Sequence, residues 1–84
     1  MTSIATGSVL RAARNALGWS IETLAARSGV SVRTIIRYEA TDDVPATRGG
    51  NLEALVGTME AAGIEFIEAE DGAPGIVIRS ARTG

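Results

Sequence analysis

Apolar residues recur at helical spacing along the first two thirds of the chain. Leu10, Ala13 and Leu17 fall on one face, and Gly18 closes that run as a C-terminal cap. Ser20 follows as an N-cap, offering an oxygen to the free N–H groups of the next turn. The second helix runs through Leu24 and Ala25 to about Ser28, where Gly29 stops it. A helix this short is not stable alone, so it must be held by packing. Ser31 is a second N-cap and opens a third helix through Ile35 and Tyr38 to about Ala40. Asp42-Asp43-Val44-Pro45 breaks the pattern. Gly49-Gly50-Asn51 precedes a fourth helix with Leu52, Leu55, Val56 and Met59 on one face, and Gly63 ends it. The period then shortens. Ile64-Glu65-Phe66-Ile67-Glu68 is β-prone and partly alternating, residues 71–75 are turn material, and Ile76-Val77-Ile78-Arg79 forms a second short strand. The pattern predicts four helices and a hairpin.

The chain has 84 residues, enough for one small core. It contains no Cys and no His. That excludes a disulfide frame, a thiolate nucleophile, the usual zinc ligand and the usual general base. No phosphate loop or buried carboxylate pair is evident, so neither catalytic residues nor a metal site nor a cofactor is expected. A chain of this length leaves little room for a small-molecule pocket of ~300 Å³ beside the core. No apolar run reaches the ~18 residues of a membrane span, and no segment resembles a signal peptide; a soluble, cytoplasmic protein is expected.

The net charge of −2 conceals an asymmetry. Residues 1–48 carry six Arg against four acids, and residues 49–84 carry two Arg against six acids. A basic first half and an acidic second half suit different partners, unless both are merely solvated faces.

Residues 18–39 hold the informative constellation. Two short helices meet at Gly29-Val30, with Ser caps at 20 and 31. Gly suits the tight turn, and Val30 plugs the angle between the helices. This is helix-turn-helix spacing. Arg14 shares a face with Leu10 and Leu17, and Glu39 shares one with Ile35, so both should point inward. Two buried opposite charges are costly unless they meet, which predicts an Arg14–Glu39 salt bridge between the first and third helices.

The run Gly18-Trp19-Ser20-x-x-x-Leu24-Ala25-x-x-Ser28-Gly29-Val30-Ser31-x-x-Thr34-Ile35-x-x-Tyr38-Glu39 resembles the helix-turn-helix of phage Cro and CI repressors and of the xenobiotic-response-element regulators. The resemblance spans roughly residues 7–62. It implies a mainly α, four- to five-helix, lambda-repressor-like DNA-binding domain over residues 1–63, with the C-terminal β-hairpin of residues 64–84 appended. In such folds the third helix enters the major groove of double-stranded DNA, usually within a two-fold dimer. By motif position Val32, Arg33 and Arg37 are the base readers. Arg can fork onto guanine O6 and N7, and Val can touch a thymine methyl. Ile36 fits either the core or an apolar contact in the groove. Phosphate contacts fall to Ser20, the amides near Ile21 and Glu22, Thr34 and Arg48, with Arg11 and Arg27 as weaker candidates.

The chain departs from those relatives at three places. Ile21 stands where many carry a Gln that bridges to phosphate. Thr41 occupies the usual Gly stop after the third helix, so the loop there must differ. Asp42 and Asp43 lie where relatives often carry basic residues.

The hairpin has an apolar face of Ile64, Phe66, Ile76 and Ile78 that must be covered. Pairing with a second copy gives a homodimerisation element; packing on its own chain or docking another protein are the alternatives. Two functions are therefore carried forward. One is a dimeric, sequence-specific transcriptional regulator, a repressor. The other is an antitoxin or interaction adaptor whose C-terminal segment binds a partner protein.

Overall fold

The computed structural model describes residues 5–45 and 49–79. Their elements run α1 (Gly7–Ala16), α2 (Ile21–Ser28), α3 (Val32–Glu39), α4 (Asn51–Ala61), β1 (Ile64–Glu68) and β2 (Pro74–Ile78). The architecture is mainly helical, with one antiparallel hairpin after four helices.

Local chemistry sets the helix ends. The Thr6 hydroxyl accepts from the Val9 N–H at 3.1 Å, Ser20 from Thr23 at 3.0 Å and Ser31 from Thr34 at 3.2 Å. Each satisfies one of the donors a helix start leaves free. At the end of α1 the Gly18 N–H donates to the Asn15 carbonyl at 3.0 Å and the Trp19 N–H to that of Arg14 at 3.2 Å, a Schellman ending. Gly29 ends α2 with φ 80°, a left-handed conformation that a Cβ would strain. Thr41 takes no such conformation; among the described residues only glycines have positive φ. Instead α3 tightens at its end, with Ala40 N–H to Arg37 carbonyl at 3.3 Å and Thr41 N–H to Tyr38 carbonyl at 3.4 Å. The loop therefore differs from a Gly-stopped one, as the sequence requires.

One core joins all the elements. Leu10, Leu24, Ile35, Leu55 and Met59 are its largest fully buried side chains. Ala5, Ala13, Val30, Tyr38, Leu52, Val56 and Ile64 complete it. The apolar face expected on the fourth helix is the one α4 buries.

The start of α1 meets the loop after α3 at very short range. A Cβ on Gly7 would lie 2.1 Å from the Thr41 carbonyl oxygen and 2.2 Å from that of Tyr38. The Gly7 N–H donates to the Asp43 carbonyl at 3.0 Å, and the Ser8 hydroxyl donates to Asp42 Oδ1 at 2.8 Å. Asp42 thus faces the positive end of α1, where a carboxylate is favoured.

In the hairpin, Ile64 opposes Ile78 and Phe66 opposes Ile76. The second strand starts at Pro74, two residues ahead of the apolar run that predicted it. Proline is tolerated at the first position of a strand. The Asp71 carboxylate accepts from the Ala73 N–H at 3.0 Å and shapes the turn. The Arg79 N–H donates to the Gly63 carbonyl at 2.6 Å and closes the open end.

The hairpin does not leave its apolar face free. Ile64 is buried, and Phe66 and Ile76 pack against the core of their own chain, β1 on α4 and β2 on α1. Three of the four residues expected to couple two copies are thereby engaged within the chain. The shared core makes the physical reason plain: a lone hairpin is marginal, and the nearest apolar surface is α4. Ile78 alone of the four is exposed, at 53 %.

Candidate nucleic-acid interface

The third helix divides cleanly around its axis. Ile35, Tyr38 and Glu39 are buried, while Arg33, Ile36 and Arg37 are exposed. Val32 and Thr34 are half-buried on its flanks. This follows from the 3.6-residue period: once Ile35 and Tyr38 enter the core, positions 33 and 37 must face away. Ile36, left open by the sequence, is not in the core.

Arg14 fixes that orientation from below. Its Nε donates to Glu39 Oε2 at 2.8 Å and its Nη2 to Glu39 Oε1 at 2.9 Å. Side-chain exposures are 13 % and 7 %. The bidentate geometry satisfies both carboxylate oxygens, as a pair largely out of water requires. The hydrogen bond to Glu39 raises the Arg14 pKa above its ordinary value despite partial burial. A third donor, Nη1, reaches the Trp19 carbonyl at 2.9 Å. One side chain on α1 therefore ties down both the α1–α2 turn and the end of α3.

Neither Arg33 nor Arg37 forms a salt bridge with a carboxylate of the described residues. Arg37 lies 5.9 Å from the Tyr38 ring centroid, within cation–π range. The first turn of α2 adds free backbone donors, since the Ile21 and Glu22 amides precede any helical carbonyl they could use. Ile21 itself leans on the core, so its amide and not its side chain is what that turn can offer. Ser20 and Ser31 repeat one arrangement: each hydroxyl caps its helix and also donates to a Thr hydroxyl, Thr23 and Thr34 respectively, at 3.0 Å.

The two weaker phosphate candidates have tasks inside the chain. Arg11 Nη1 donates to the Glu39 carbonyl at 3.3 Å, and the Arg27 guanidinium lies 4.7 Å from the Trp19 ring centroid. Sequence reasoning missed both, along with the Arg14–Trp19 bond. Each depends on how the helices dock, although Trp19 ahead of a helix that carries Arg27 was a signal for the stacking. Arg48 lies outside the described residues.

Two capped helices about a glycine turn, braced by a buried ion pair and presenting an unpaired guanidinium stripe, define a helix-turn-helix module. Residues 10–47 match the family model described as Helix-turn-helix, in keeping with the resemblance of this stretch to the DNA-binding regulators of the Cro/CI, xenobiotic-response-element type. No curated protein matches the chain. Among the described residues, no helix is long and apolar enough to cross a membrane.

Proposed function

We propose that the protein is a cytoplasmic transcriptional repressor that reads the major groove of double-stranded DNA with α3, two copies acting together. The observation carrying this reading is the exposed Arg33–Arg37 stripe, turned away from a core that the opposite face of the same helix completes. Val32, Arg33 and Arg37 contact bases, with the arginines forking onto guanine. Ser20, the Ile21 amide and Thr34 contact phosphates on either side, and Arg48 adds a cation before α4. The two copies couple through apolar hairpin surface not used by the core, Ile78 at the end of β2. A two-fold pair of reading helices calls for a palindrome with half-sites about one turn apart.

Selection of bound duplexes from random DNA tests this. A palindromic site should emerge, and changing Arg33 and Arg37 together to Ala should abolish its binding with the helical circular dichroism unchanged. Failure to enrich any sequence, or binding that survives the double change, overturns the reading.

A further inference from the structure

The base contacts proposed above leave Ile36 without a task, yet it is 53 % exposed on the recognition helix. A lone exposed isoleucine is ordinary. This one is not isolated. It follows Val32 by four residues, so the two side chains lie in one row along α3. Arg33 and Arg37, also four apart, form the adjacent row. An apolar row and a cationic row thus run side by side, and neither cation forms a salt bridge with a carboxylate of the described residues.

That composition complements a polyanionic groove whose floor carries methyl groups next to hydrogen-bond acceptors. The major groove of DNA is such a surface, with guanine O6 and N7 as acceptors and the thymine C5-methyl as the apolar group. We infer that Ile36, continuing the row begun by Val32, reads the C5-methyl of a pyrimidine adjacent to the guanines taken by Arg33 and Arg37. The inference rests on the DNA-reading role proposed above and adds a determinant to it.

The chemistry has a sharper consequence. Neither Val nor Ile carries a polar side-chain atom. This row therefore cannot tell the thymine O4 acceptor from the cytosine N4 donor; it senses the methyl alone. Uracil should bind more weakly than thymine at the contacted step, and 5-methylcytosine should be preferred to cytosine there. Binding becomes responsive to cytosine C5 methylation.

The test uses the full chain and the duplex site enriched by selection. Thymines in that site are replaced singly by deoxyuridine, which removes only the methyl. At the step under Ile36, affinity should fall roughly fourfold, the value of one buried methyl. Placing cytosine and then 5-methylcytosine at the same step should show a gain of similar size on methylation. In the Ile36→Ala variant, whose site is exposed and outside the core, both responses should vanish while the dependence on guanine remains. The inference is overturned if the enriched half-site lacks thymine, if no deoxyuridine replacement changes the Kd, or if Ile36→Ala keeps the full response. Enrichment without any methyl response refutes this inference alone. No enrichment at all refutes the DNA-reading role and this inference with it.

Discussion

Arg14 and Glu39, twenty-five positions apart, meet through two parallel N–H···O bonds of 2.8 and 2.9 Å. The contact joins α1 to the last turn of α3. Breaking one side of such a pair strands a charge largely out of water, so Glu39→Ala should cost about 3 kcal/mol or more in urea unfolding. Replacing both, as Arg14→Met with Glu39→Leu, should recover most of that loss. The pH dependence has a definite sign on the arginine side. Because the folded pKa is raised, its contribution is fully present below the unfolded arginine range and is lost only as pH rises through the folded value. Stability from this side of the pair should be flat across neutral pH.

Two glycines in helices should respond to alanine with opposite signs. At Gly7 the new Cβ would strike two backbone carbonyls, which cannot move aside as a side chain can. Gly7→Ala should destabilise by about 1–3 kcal/mol. At Gly57, inside α4, nothing lies within 4 Å of the new atom. Gly57→Ala should stabilise by about 0.5–1 kcal/mol through helix propensity. Chemical denaturation of the two variants side by side decides both.

Removing the Ser31 cap should cost about 1 kcal/mol, read as a lowered melting temperature of Ser31→Ala. Ser20→Ala should cost a similar amount. If Ser20 also contacts phosphate as proposed, its variant alone should show weaker DNA binding at equal folded fraction, uniformly across sequences.

Hairpin residues should separate into two classes. Ile64→Ala opens the core and should cost about 2–4 kcal/mol. Ile78→Arg should leave stability nearly unchanged and shift sedimentation from dimer toward monomer. A dimer that survives Ile78→Arg places the coupling surface elsewhere. Truncation after Gly63 is no clean test of coupling, because it removes Ile64 from the core as well.

What could be read from the residues alone was what neighbours in sequence decide. Ser20 and Ser31 announce helix starts through their own hydroxyls, and Gly29 announces a turn through its missing Cβ. The Arg14–Glu39 pair was legible for a different reason: each charge sits in an apolar row, and the cost of burial demands a partner. Gly7 gave no such notice, since its requirement comes from carbonyls over thirty positions away. The Ser8–Asp42 and Arg11–Glu39 bonds are long-range in the same way. The hairpin's apolar face was visible, but not what covers it, because alternation says which side is buried and nothing about the surface opposite. Ile36 could not be placed before the tilt of α3 against the core was known.

The start of α4 differs from the other three helices in having Gly50 as its N-cap, with no side-chain acceptor for the first-turn amides. Those amides should be the earliest helical ones to exchange with deuterated solvent, ahead of the counterparts guarded by Thr6, Ser20 and Ser31. Partial opening should then begin at the first turn of α4. A destabilised variant would thus lose its solvent protection piecemeal, the unguarded start of α4 ahead of the capped starts of α1, α2 and α3.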